Sequence, residues 1–291
     1  MSGFHDDALE AVVRLALTED LGRAGDLTAQ ACVPADARLS ATFVARKAGV
    51  AAGLAAARLA VRALDPDARV DEPVRDGDAF DAGAALVRVD GNARSLLAAE
   101  RTALNLTGRL CGIATLTRAY VDAVAGTRAR IADTRKTTPG LRALEKRAVA
   151  LGGGLNHRFG LDDAILIKDN HVALCGGDAA EALRRARAHA GHLTKIEVEI
   201  DRLDQLGPLL ELVQPGVQSG RAGPDVIMLD NFSLPELREA VALTDGRVTL
   251  EASGGVTLDT VRSIAETGVD VISVGALTHS APSLDVGLDV A

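Results

Sequence analysis

Aromatic side chains are almost missing from this 291-residue chain, which has no Trp, one Tyr and five Phe. Stacking platforms for nucleic-acid bases are built from such rings. The net charge of −8 is also the wrong sign for a partner that rewards a basic surface. Nucleic acid and anionic membrane are therefore excluded as general partners, and any anion site has to be local. Cysteine is scarce too: Cys32, Cys111 and Cys175 are widely spaced and form no CxxC, so neither a disulfide framework nor a zinc site is indicated. They point to a reducing, cytoplasmic setting. No apolar run reaches the roughly 18 residues of a membrane span. The opening "MSGFHDDALEAVVRLALTEDLG" is acidic where a secretory leader is basic, so a soluble protein is expected.

What remains is a core of Ala, Val, Leu and Ile, in a chain long enough for one large core or two smaller ones. The first hundred or so residues read as a mixed unit: a helix over 7–21, a strand over 39–46 and a helix over 54–64. Short strands follow in "ARVDEPVRDGDAFDAGAALVRVDG", punctuated by Gly and Asp. Residues 95–126 are helical in composition, with interruptions expected near Gly108 and Gly112. A domain boundary placed there gives an N-terminal domain over 1–112 and a catalytic domain over 113–275. A C-terminal segment, 276–291, is expected to pack back on the first domain.

From Arg130 onward, short apolar runs alternate with amphipathic helical segments. The runs are "RIADT", "AILIK", "KIEVEI", "DVIMLD", "VTLEAS" and "DVISVG". Strand and helix in alternation imply an α/β fold with a parallel sheet covered by helices, and six such units favour a barrel over a doubly wound sheet. A closed barrel has about eight strands, so an incomplete one is expected.

In such barrels the active site lies at the carboxyl ends of the strands. The residues there are sorted by type: Arg135 and Lys136, then Lys168, then Glu199 and Asp230, then Ser253, Gly254 and Gly255, and finally Gly275 and Ala276. Any one of these alone reads as a helix cap or a solvated loop residue; the ordering of all of them favours a site. Arg135, Lys136 and Lys168, joined by His157 and Arg158 of "GGGLNHRFG", suit an anion with more than one charge. Glu199 and Asp230 suit Mg²⁺ carried by substrate phosphates. The glycine junctions let backbone N–H groups approach a phosphate. Together they indicate a phosphorylated sugar donor and a carboxylate acceptor.

Seven segments, "ERTALNLTGRLCGIAT", "DTRKTTPGLRALEK", "GGGLNHRFGLDDAILIKDNH", "KIEVEID", "IMLDNF", "LEASGGVTLDT" and "ISVGALTHSAPSLDVGLD", resemble, in order, the motifs of the quinolinate phosphoribosyltransferase family. The family is also called nicotinate-nucleotide pyrophosphorylase (carboxylating). "EDLGRAGDLT" and "ARKAGVAAGL" extend the resemblance toward the start. It implies an N-terminal α/β sandwich joined to an incomplete, about seven-stranded α/β barrel. It also implies a pentosyltransferase of de novo NAD biosynthesis, which converts quinolinate and phosphoribosyl pyrophosphate, with Mg²⁺, to nicotinate mononucleotide, pyrophosphate and CO₂. By similarity Thr134, Arg135, Lys136, His157, Arg158 and Lys168 hold quinolinate, completed by Arg101 of "ERTALN". Glu199 and Asp230 face the ribose hydroxyls and Mg²⁺, and Ser253 to Gly255 with Gly275 and Ala276 surround the 5′-phosphate. Lys136, Lys168, Glu199 and Asp230 form the catalytic set. In the family the Arg101 position is supplied by the neighbouring subunit, which implies a homodimer, or a higher assembly, with shared active sites.

Two departures stand out. Arg147 occupies a position that is commonly aromatic in the family, and the connection at 213–225 is longer than usual, as expected of a peripheral insertion. His171, His279 and the three cysteines read as packing or hydrogen-bonding residues, and "RRARAH" at 184–189 as a solvated helix face. Three competing functions remain: a molybdate-associated relative that shares "TRK" and "HR", a Schiff-base aldolase using Lys168, and a non-catalytic binder of phosphorylated metabolites. The intact "LIKDNH" favours quinolinate over the first.

Overall fold

The computed structural model describes residues 2–213 and 223–290. Most of the connection expected to be a peripheral insertion therefore lies outside the described residues. Contacts divide the chain into two compact units: residues 1–118, 136–154 and 277–291 form the first, and 119–135 and 155–276 the second.

In the first unit, α1 (Ser2–Leu21) and α2 (Leu27–Cys32) lead to β1 (Arg38–Ala45) and β2 (Gly49–Val50). Next come α3 (Ala55–Leu64), β3 (Arg69–Asp71), β4 (Ala79–Phe80), β5 (Ala85–Asn92) and α4 (Ala93–Ala123), whose last residues, from Ala119, are assigned to the second unit. The period-2 pattern of β1 buries Ala41, Phe43 and Ala45. The helical period of α3 buries Ala56, Ala57, Ala60 and Val61. A late strand, Val286–Val290, runs antiparallel to β1 and makes a four-stranded sheet with β5 and β3.

Helix α4 is continuous through Gly108 and Gly112, where sequence composition predicts interruptions. The glycines serve a close approach instead. A Cβ on Gly108 would stand 2.8 Å from the Leu284 carbonyl oxygen, and one on Gly112 would overlap that of Pro282. The Gly108 carbonyl accepts from the Leu284 N–H at 2.8 Å. Gly112→Ala should therefore cost stability, by about 1–3 kcal/mol, although alanine is the better helix former. Urea unfolding measures this; a neutral or stabilised variant would show that the 282–284 backbone is not seated on α4.

The second unit carries the strands read from the sequence: β6 (Arg130–Ala132), β7 (Ile165–Ile167), β8 (Ile196–Ile200), β9 (Val226–Asp230), β10 (Thr249–Ser253) and β11 (Val271–Ser273). They form one parallel sheet in the order β6-β11-β10-β9-β8-β7. A seventh position is a single residue: Leu155 bridges Ala132 in parallel, its N–H donating to Ile131 O at 2.8 Å. Among the described residues no ladder joins Leu155 to β7, and there the barrel is open. Helix α5 (Arg142–Leu151) belongs to the first unit, and α6 (Asp169–Leu174) follows β7. Then come α7 (Ala179–His189), α8 (Leu206–Glu211), α9 (Leu234–Thr244) and α10 (Leu258–Ala265), and α11 (Ala276–His279) precedes the late strand, β12. No described helix is long and apolar enough to cross a membrane.

Candidate active site

Strand register sets the site in two layers. Glu199 pairs with Met228, Met228 with Glu251, and Asp230 with Ser253, so these residues and, two back on β8, Glu197 share one face of the sheet. The outer layer sits at the carboxyl ends. Lys168, just after β7, forms an ion pair with Glu199. The Lys168 backbone N–H donates to His171 Nδ1 at 2.9 Å, which places His171 as a cap of α6. Asp230 accepts from Asn231 Nδ2 at 2.8 Å. Asn231 takes a left-handed conformation, φ 59°, and its N–H donates to Ser253 O at 2.8 Å, tying the end of β9 to that of β10. Gly254 is required there: its φ is +97°, and a Cβ would come within 2.9 Å of the Asn231 nitrogen. Gly255 precedes α10, whose capping box is formed by Thr257 and Thr260.

Beneath this layer lies a cluster that the sequence reading missed apart from His157. His157 Nε2 is 2.8 Å from Glu197 Oε2 and 3.8 Å from Glu251 Oε2. The other carboxyl oxygen of each glutamate is buried without a hydrogen-bond partner. Burial, with the nearby charge of Glu197, pushes the Glu251 carboxyl up to about 7 against the opposing pull of His157. The fully buried Asp133 fixes the histidine from behind, accepting from the His157 N–H and from Asn156 Nδ2, both at 2.8 Å. The three ligand atoms of His157, Glu197 and Glu251 lie within 4.8 Å of one another. The separation of 2.8 Å is a direct hydrogen bond, shorter than the roughly 3.3 Å between neighbouring tetrahedral zinc ligands. The signal available in the sequence was a pair of acids inside apolar runs, "IEVEI" and "TLEAS", each two residues before a proposed ligand.

Arg158 donates to Ala164 O at 3.3 Å. Burial, then the like charge of Arg135, holds its pKa below the usual arginine value. The buried Nε of the half-buried Arg135 has no hydrogen-bond partner. Thr134 is half-buried beside them in sequence, and Gly275 and Ala276 follow β11, where the Val274 N–H donates to Ala132 O at 2.9 Å. Arg101, on α4, and Lys136 are exposed and belong to the first unit, whereas the other sequence-predicted site residues belong to the second.

Of the residues set aside as structural, most are engaged as such, whereas Cys32 is exposed instead of packed and Arg187 is turned inward. Cys111 exchanges hydrogen bonds with the Ala52 backbone, and burial pushes its thiol up to about 12. Arg184 and Arg185 pair with Glu181 on the exposed face of α7. Arg187 departs from the solvated-face expectation: it turns inward to Asp225 at 2.6 Å, a carboxylate that also accepts from the Ile196 N–H at the start of β8.

An incomplete parallel α/β barrel with charged side chains and glycines at the carboxyl ends of its strands is of the α/β-barrel enzyme class, in which that face holds the active site. The chain belongs to the quinolinate phosphoribosyl transferase family: the N-terminal domain of that family matches residues 26–111, and its C-terminal domain residues 113–289. The nicotinate-nucleotide pyrophosphorylase [carboxylating] of Mycobacterium leprae is 48% identical over 289 residues, covering 98% of each chain. The probable nicotinate-nucleotide pyrophosphorylase [carboxylating] of Bacillus subtilis is 44% identical over 272 residues, 94% of this chain and 90% of that one. Among solved structures, the nicotinate-nucleotide pyrophosphorylase of Francisella tularensis superposes with a TM-score of 0.89 at 36% identity, covering 98% of this chain and 97% of that one.

Proposed function

We propose that this chain transfers the phosphoribosyl group of phosphoribosyl pyrophosphate to quinolinate. The ring nitrogen forms the new bond to the sugar as pyrophosphate leaves; loss of CO₂ then puts a proton on the ring carbon and yields nicotinate mononucleotide. The observation that carries this reading is the Arg135–Arg158 pair: the like charge of Arg135 is felt at Arg158, and the buried Nε of Arg135 has no hydrogen-bond partner, in a family whose name supplies a dicarboxylate. Arg135, Arg158, Lys136, Lys168 and His157, with Thr134, hold the two carboxylates and so orient the ring nitrogen. Glu199 and Asp230 face the ribose hydroxyls, and the Ser253–Gly255 and Gly275–Ala276 junctions take the 5′-phosphate.

Hard carboxylate oxygens on neighbouring strands fit Mg²⁺. Glu199 and Asp230 would hold it, and it would neutralise charge on the departing pyrophosphate. A Schiff-base aldolase would use Lys168 as its nucleophile; borohydride with a carbonyl substrate should trap nothing.

The decisive experiment incubates the protein with quinolinate, phosphoribosyl pyrophosphate and Mg²⁺ and looks for nicotinate mononucleotide. Product from nicotinate but not from quinolinate would replace this reading with the salvage reaction. Arg135→Ala and Arg158→Ala should each weaken quinolinate binding about 10- to 100-fold with folding intact, because each removes a charge-assisted contact of roughly 1.5–3 kcal/mol. Unchanged quinolinate affinity in both would remove the dicarboxylate argument. Glu199→Gln and Asp230→Asn should instead weaken the donor and Mg²⁺; a defect confined to quinolinate would overturn this division of the site.

A further inference from the structure

The exposed Lys136 sits in a stretch without regular structure, yet three consecutive residues there are anchored one by one. The Lys136 carbonyl accepts from Thr278 Oγ1 at 2.7 Å. The Thr137 hydroxyl accepts from Arg142 Nε at 3.0 Å. The Thr138 N–H donates to Glu145 Oε2 at 3.0 Å. Glu145 and Thr278 are fully buried. Arg109 of α4 connects them: it donates to Glu145 Oε1 through Nη2 at 2.8 Å and through Nε at 3.2 Å, and also to the carbonyls of Thr278 and Ala281. All of these residues belong to the first unit.

A buried carboxylate with two directed partners is costly to assemble and strongly resists rearrangement. Here its second oxygen serves only to grip the backbone two residues beyond Lys136. We propose that Arg109, Glu145 and Thr278 are positioning residues for phosphoribosyl transfer: they fix the backbone at 136–138 so that the Lys136 ammonium is presented to quinolinate in one orientation. The inference rests on the reading of Lys136 as a substrate-contacting residue. Held by backbone anchors, a lysine side chain gives up less freedom on binding.

The test is a double-mutant cycle read as the Kd for quinolinate by calorimetry, which needs no turnover, with thermal melting to establish folding. Thr278→Val keeps the side-chain shape and removes the hydroxyl; it should weaken binding roughly 3- to 10-fold, while Thr278→Ser stays near native. Glu145→Gln should weaken binding by roughly 10-fold or more. In a Lys136→Ala background both losses should shrink to within about 2-fold, because residues acting through Lys136 have nothing left to position. Losses that multiply in full onto Lys136→Ala, or a valine variant equal to serine, overturn the clamp. Native affinity in Lys136→Ala alone overturns instead the reading of Lys136 on which the clamp depends. If Glu145→Gln does not fold, the Thr278 pair decides the question.

Discussion

Mixing Arg101→Ala chains with Lys136→Ala chains, each nearly inactive alone, should restore about a quarter of native activity once subunits exchange. The motive is the setting of Arg101: it is exposed on α4 in the first unit, and among the described residues its guanidinium makes no hydrogen bond or ion pair. Arg109, two turns along the same helix, is by contrast fully engaged. A guanidinium reserved for substrate but supplied by a second copy would look this way in a single chain. Random pairing makes about half the dimers mixed, and each mixed dimer holds one site with both native residues and one with neither, which gives the quarter. A mixture as inactive as its parents, with exchange verified by mass, would place Arg101 in its own chain's site or outside any site.

The second large effect concerns stability. Glu251 has a folded pKa of about 7 against 4.5 for an ordinary glutamate, raised by burial and by Glu197. The folded state therefore keeps its proton where the unfolded chain has lost it. The resulting stability is present in full below about pH 4.5 and is lost as the pH rises through about 7. A displacement of this size corresponds to about 3 kcal/mol. Glu251→Gln, neutral at every pH, should accordingly gain about that much relative to the native protein between pH 4.5 and pH 8. Urea midpoints at matched pH remove the contributions of groups that do not touch Glu251. A difference that stays flat across this range would mean that Glu251 ionises freely where it sits.

All six named barrel strands were legible because each is a short, largely apolar run closed by a polar junction, a local signal. The seventh position was not, because Leu155 contributes one bridge and no run. Gly108 and Gly112 misled for a related reason: a glycine that breaks a helix and one that admits another backbone against it are identical in sequence, and only the distant 282–284 segment distinguishes them. Glu197 and Glu251 were hidden by their neighbours, since the hydrophobic runs that announce β8 and β10 invite every residue in them to be read as core. The clamp on Lys136 was beyond sequence reasoning altogether: Arg109, Glu145 and Thr278 lie on three separate elements, and each is unexceptional within its own.

The pairing of β12 with β1 also fixes an order of events during synthesis. Arg46 and Asp289, which form an ion pair where these strands meet, are 243 residues apart. Until β12 emerges, β1 is the outermost strand of its sheet, with unpaired N–H and C=O groups along one side. At roughly 5–20 residues per second of translation, that edge stays open for on the order of ten seconds to under a minute, while the whole barrel sequence is being made. A first sheet that formed before β12 was made would carry an edge open to a strand from another chain, and pairing with β12 closes that edge.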